Sequence, residues 1–190
     1  MRRLLLVLVL GCSGSQPLVP APVVQKPAPI DPGEPVGLPA GYVVVRPERV
    51  VPLGEQDALL LVDEPDNLVL PVFIGGTEGL SIQGRLMNVP PVRPLTHDLL
   101  DHLLVKLDAK LVQVQVDSLR HDDQGGVYIG SIFVRSKGHV FKLDARPSDA
   151  VALAIGDHVP IYVAKAVLEE AGYKWDEVQR QLQQSAGSAT

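Results

Sequence analysis

The chain has a single cysteine, Cys12, in 190 residues, so no intrachain disulfide can staple it. Aromatic residues are few: Phe73, Phe133, Phe141, Trp175 and four tyrosines. That argues against a surface built to stack successive bases, as single-strand binders use. Positive charge is not in excess: 17 Lys and Arg against 22 Asp and Glu give a net charge of −5. A mildly acidic chain has no general attraction for a phosphate backbone. Any chemistry on nucleic acid must therefore work through a local cationic cluster or a metal. No apolar run is long enough to span a bilayer. No internal repeat, HExxH motif, P-loop or dinucleotide fingerprint occurs.

What is present first is an address. Met1-Arg2-Arg3, the apolar run Leu4 to Leu10 and then Gly11-Cys12 have the layout of a bacterial lipoprotein signal, residues 1–11. In that layout Cys12 is the lipidated first residue of the mature chain, and it holds the protein to the membrane of the cell envelope, facing the periplasm or the outer membrane. Losing Arg2 and Arg3 makes the chain two units more negative. Pro17 to Pro39 is rich in proline, which neither continues a helix nor donates to a sheet ladder. Residues 12–40 therefore read as the lipidated cysteine and an extended spacer, residues 41–172 as one folded domain, and residues 173–190 as a C-terminal helix with a tail frayed from Ser185.

Within the domain, Tyr42 to Arg46 and Val50 to Leu53 are short β-type runs. Ala58 to Val62 and Leu68 to Ile74 are apolar runs separated by the turn-rich Asp63-Glu64-Pro65-Asp66-Asn67, a hairpin pattern. A helix is expected from Glu78 to Met87. Thr96 can cap a second helix, with Asp98 favouring its positive end. Leu99, Leu100, Leu103, Leu104 and Leu107 form an apolar stripe on it. Leu111 to Leu119 alternates, with Val112, Val114 and Val116 on one face and Gln113, Gln115 and Asp117 on the other. With Val127 to Arg135 and His139 to Leu143 it makes an antiparallel meander. A helix from Pro147 or Ser148 to Ile155, a strand at Pro160 to Val163 and a helix at Ala164 to Ala171 follow. Trp175, Val178 and Leu182 are spaced for a last docking helix. The fold class is α+β: an antiparallel or mixed β-sheet with packed helices in a single compact domain.

Three segments concentrate polar groups. Gly75-Gly76-Thr77-Glu78-Gly79, leading to Arg85, follows a strand and opens a helix, where backbone N–H groups can approach a phosphate; a plain tight turn explains it as well. In Arg93-Pro94-Leu95-Thr96-His97-Asp98, with Asp101 and His102 beyond, the spacings His97/Asp101 and Asp98/His102 put a histidine beside a carboxylate. These groups can bind a divalent ion or act as acid and base, or they can form a capped helix start with a solvated face. In Asp144-Ala145-Arg146-Pro147-Ser148-Asp149, Asp144 and Asp149 can hold a metal through oxygen ligands, and Arg146 can pair with a phosphate. Helix capping and a salt bridge account for the same residues.

Taken in order, Leu70-Pro71-Val72-Phe73-Ile74-Gly75, Val92-Arg93-Pro94-Leu95-Thr96-His97-Asp98-Leu99-Leu100 and Asp144-Ala145-Arg146-Pro147-Ser148-Asp149-Ala150-Val151-Ala152-Leu153-Ala154 resemble the bifunctional nuclease domain family, over about Tyr42 to Gly172. The resemblance implies a compact α+β homodimer and nuclease activity on DNA and RNA. The matching polar residues are Glu78, Arg93, Thr96, His97, Asp98, Asp144, Arg146, Ser148 and Asp149. The chain departs from the family in its first segment, where Gly79 follows the glutamate in place of the usual alanine and Gln83 and Arg85 interrupt a more apolar helix.

Two functions are expected from different classes. One is a metal-dependent phosphodiesterase on DNA or RNA. There Asp144 and Asp149, helped by Asp98 or Glu78, would hold Mg²⁺ or Mn²⁺, His97 would be the general base, and Arg93 and Arg146 would steady the developing charge. The other is a non-catalytic envelope binding or scaffold protein, in which the same residues form a polar network that fixes the fold and dimer.

Overall fold

A computed structural model describes residues 29–30, 37–53, 56–122 and 125–187. The signal-like segment, Cys12 and most of the proline-rich stretch lie outside the described residues. No helix among the described residues is long and apolar enough to cross a membrane.

The strands are β1 (Pro29–Ile30), β2 (Tyr42–Leu53), β3 (Gln56–Asp63), β4 (Leu68–Ile74), β5 (Ala109–Asp122), β6 (Gly125–Ser136), β7 (His139–Ala145), β8 (Ile161–Ala164) and β9 (Tyr173–Lys174). The helices are α1 (Gly76–Leu86), α2 (Thr96–Lys106), α3 (Pro147–Asp157), α4 (Lys165–Ala171) and α5 (Trp175–Gly187). One nine-stranded mixed sheet runs β1-β7-β6-β5-β8-β2-β3-β4-β9. Every pairing is antiparallel except β5 with β8. The α+β class, the hairpin and the meander are as the sequence implies.

The hairpin β3–β4 reads as continuous apolar sequence because both of its faces are buried. Leu59, Leu61 and Leu70 face the main core, while Leu60, Val62 and Val69 pack under Trp175, Val178 and Leu182 of α5. Helix α5 continues to Gly187, past the point where fraying was expected. Pro71 sits on the stretch of β4 that has β3 alone as partner, where a missing N–H costs no ladder bond.

The two short runs expected at residues 42–46 and 50–53 are one bent strand. β2 pairs with β8 over Tyr42 to Val45 and with β3 over Arg46 to Leu53, with a register shift between Pro47 and Arg49. The bulge lets one strand serve two partners. Strand β8 returns after α3 to lie between β2 and β5, and it is buried along its whole length. Two residues of the proline-rich stretch, Pro29 and Ile30, add to the sheet edge opposite Phe141 and Val140 of β7.

Helices α1 and α3 pack against each other over the sheet, with Ile82, Ala150, Val151, Ala152 and Leu153 in the core. Helix α2 starts one residue earlier than expected: Leu95, not Thr96, is the capping position, and the Asp98 carboxylate accepts the Leu95 N–H at 2.8 Å. Its leucine stripe is not core. Leu99, Leu103 and Leu107 are 55%, 46% and 66% exposed, Leu100 is exposed too, and Leu104 alone is half-buried.

Candidate functional site

The three polar segments meet where α1, α2 and α3 begin. Arg146 follows directly on β7 and stands at the capping position of α3, with Pro147 at the favoured first helical position. Its Nε donates to Asp149 Oδ2 at 2.7 Å and its Nη2 to Asp149 Oδ1 at 2.9 Å, a two-pronged grip; Nη2 also donates to Glu78 Oε1 at 2.7 Å. Arg146 thus joins the first turns of α1 and α3, where the helix dipoles favour the two carboxylates. Burial pushes the Asp149 carboxyl up, but hydrogen bonds from Arg146 and His97 outweigh it and hold the group below its ordinary range. Glu78 is also held low, first by its own backbone N–H and then by Arg146. The guanidinium is raised by Asp149 and Glu78. It remains largely solvent-facing, whereas both carboxylates are mostly covered.

His97, the second residue of α2, is 5% exposed. Its Nε2 lies 3.1 Å from Asp149 Oδ1 and its Nδ1 lies 2.8 Å from Ser81 Oγ on α1. An ionised carboxylate accepts and does not donate. The neutral ring therefore carries its proton on Nε2 and donates to Asp149, which leaves Nδ1 to accept the Ser81 hydroxyl proton. Ser81, His97, Asp149, Arg146 and Glu78 form one continuous chain of hydrogen bonds across three helices.

A second network lies beside it. Arg85, whose side chain is 10% exposed, donates through Nη2 to Asp98 Oδ1 (2.8 Å) and Asp101 Oδ2 (2.7 Å), and through Nη1 to the Ala152 carbonyl (2.9 Å). Asp98 is thus bonded to Arg85 and the α2 cap, and it makes no bond to His97. Asp101 likewise serves Arg85, and His102 is exposed. The expected histidine–carboxylate pairs along α2 do not form. Arg93 is exposed in the loop before α2 and makes no ion pair among the described residues.

Asp144 does not join Asp149. Leu143 and Ala145 pack toward the core that α3 covers, so strand alternation puts Asp144 on the opposite sheet face. There it stands opposite Ser131, whose hydroxyl donates to Asp117. Asp117 also accepts from Tyr42 at 2.8 Å and pairs with Lys142 at 3.4 Å. Burial, then the bond to Asp117 and its charge, push the Tyr42 hydroxyl up to about 12. No group of three or more His, Cys, Asp or Glu among the described residues is placed to hold a metal ion. Both oxygens of Asp149 already accept from Arg146 or His97. The Asp144–Asp149 pair does not fit Mg²⁺ or Mn²⁺.

Ser81 and the pairing role of Arg85 escaped the sequence reading. The available signal was a polar residue on the buried face of α1, where Gly79 and Ile82 are its buried neighbours.

The family model for the bifunctional nuclease domain matches residues 59–176, a span holding every member of the hydrogen-bonded chain just described. The chain belongs to the bifunctional nuclease domain family. An uncharacterized protein of Mycobacterium tuberculosis is 40% identical over 132 residues, covering 70% of this chain and 76% of that protein. Bifunctional nuclease 1 of Oryza sativa subsp. japonica is 23% identical over 119 residues, covering 61% of this chain and 35% of the plant protein. Bifunctional nuclease 2 of Arabidopsis thaliana is 24% identical, with the same coverage.

Proposed function

We propose that this family member cleaves phosphodiester bonds of DNA or RNA while tethered to the bacterial envelope through a lipid on Cys12. The observation that carries the reading is the convergence of Glu78, His97, Arg146 and Asp149 inside the span matched to the nuclease domain. The exposed face of Arg146 is the group that meets a phosphate, exchanging a carboxylate oxygen for a phosphate oxygen, and Arg93 supplies a second cation from the neighbouring loop. Asp149 and Glu78 are the carboxylates available to take a proton from attacking water. His97, with both ring nitrogens bonded inside the protein, acts by holding Asp149 in place. Asp98 acts at one remove, by fixing the start of α2. No step here is routed through Mg²⁺ or Mn²⁺, because Asp144 and Asp149 do not converge. A second copy of the chain is proposed to cover the exposed leucines of α2.

One observation favours the non-catalytic scaffold reading: His97 and Asp149 find all their partners within the protein, as a structural tie between helices would. Incubating the purified protein and Asp149→Asn with labelled single- and double-stranded DNA and RNA, in Mg²⁺, in Mn²⁺ and in EDTA, separates the two. Cleavage by the wild type that falls about 100-fold or more in a folded Asp149→Asn protein supports the nuclease. Equal cleavage by both removes Asp149 from the catalytic assignment, and no cleavage supports the scaffold. In that case Asp149→Asn should mainly cost stability, on the order of 1–3 kcal/mol.

A further inference from the structure

Ser81, 5% exposed, is among the residues that line a groove. A concavity of about 700 Å³ lies between α1, the loop after it and the C-terminal end of α3, and its walls include Leu80, Met87, Val89, Pro90 and Ile155 with Ser81 and Arg85. Those walls are apolar, as sites for small organic ligands are, and unlike the wet cationic surface a polyanion needs. Gln83, Asn88, Asp98 and His158 are polar members of the lining, and two further polar features stand out. One is Ser81 Oγ, whose proton is directed at His97 Nδ1 by the tautomer that Asp149 imposes. The other is Arg85, one helical turn on and so on the same face of α1. Its Nε–H is buried and has no acceptor.

We propose that Ser81, His97 and Asp149 form an acyl-transfer triad that hydrolyses esters of apolar acyl groups bound in this groove. A nucleophile, a base within hydrogen-bond reach and a group that orients the base are the required parts. The ring is used in the reverse sense from the commonest arrangement, with Nδ1 toward the serine and Nε2 toward the carboxylate, but the proton logic is the same. Ser81 Oγ attacks the ester carbonyl carbon as its proton passes to His97 Nδ1. The imidazolium returns that proton to the departing alcohol oxygen as the carbon–oxygen bond breaks, leaving the acyl group on Ser81. Water then attacks the acyl-serine, giving its proton to His97, which protonates Ser81 as the carboxylic acid leaves. The Asp149 carboxylate, clamped by Arg146, stabilises the imidazolium at each stage. The free Arg85 Nε–H is the donor available to the developing oxyanion. This activity shares His97 and Asp149 with the phosphodiesterase reading but draws its nucleophile from Ser81 and its substrate from the groove, not from the exposed face of Arg146.

The test is to treat the full-length protein with a fluorophosphonate probe, map the adduct by peptide mass, and follow p-nitrophenyl butyrate hydrolysis. One adduct per chain on the Ser81 peptide is expected, together with hydrolysis that falls about 100-fold or more in Ser81→Ala with its circular dichroism unchanged. No adduct on Ser81 of the folded wild type overturns the proposal, as does hydrolysis that Ser81→Ala leaves intact. Should Ser81→Ala fail to fold, the wild-type adduct map decides alone. Nucleic-acid cleavage without a Ser81 adduct sinks the triad and spares the nuclease. A Ser81 adduct without nucleic-acid cleavage does the reverse.

Discussion

At the scale of single residues, the decisive groups are those with no room to be anything else. A Cβ at Gly156 would lie 1.9 Å from Arg85 Nη1 and 3.2 Å from Asp101 Oδ2. Arg85 cannot move aside without leaving Asp98, Asp101 and the Ala152 carbonyl, and a buried ion pair broken on one side is strongly destabilising. Gly156→Ala should therefore lower stability by about 2–4 kcal/mol in urea unfolding, without a change in m-value. Arg146 makes a different prediction. Asp149 and Glu78 are held below their ordinary range in the folded protein. Their contribution is present above the unfolded-state value of about 4 and is lost as pH falls through the lower folded-state values. Arg146→Gln removes a lowering partner from both, so its acid-unfolding midpoint should lie at higher pH than that of the wild type. A circular dichroism titration between pH 6 and pH 2 reads this, and coincident midpoints would show that Arg146 does not hold the two carboxylates low in solution. The site residues named from the sequence were legible as types in local segments. Which of them touch was not, because Asp98 and His97 are adjacent in the chain yet serve separate networks, and Asp144 is carried to the far face by the alternation of β7.

At the scale of elements, α2 is the exception in the fold. Its leucines have helical spacing, and the sequence alone gives such a stripe a core to face. In the folded chain the tie at His97 and the Arg85 pairs turn His97, Asp98 and Asp101 of α2 inward and leave Leu99, Leu100, Leu103 and Leu107 outside. Periodicity reports that a helix has an apolar side; it does not report which body covers it. A second copy is the proposed cover, so Leu103→Lys with Leu107→Lys should shift the mass seen by sedimentation equilibrium toward a monomer and leave the helix content unchanged. A wild type that is already monomeric at tens of micromolar would remove this interface. The hairpin β3–β4 and the meander β5–β6–β7 were legible because adjacent strands in sequence are adjacent in the sheet. The place of β8 was not, since it reaches β2 and β5 only after the chain has crossed over through α3. Nor was the continuity of β2, whose bulge at Pro47 joins two runs that look separate.

At the scale of the whole molecule, the edge formed by β1 and β7 sets a geometric limit. Pro29 is paired with Phe141, and 16 residues of chain lie between it and Cys12. Fully extended, that length spans about 60 Å at most. With a lipid on Cys12, Phe141 of β7 would therefore stay within a hemisphere of about this radius around the anchor, and a polymer outside that reach would never meet the proposed site.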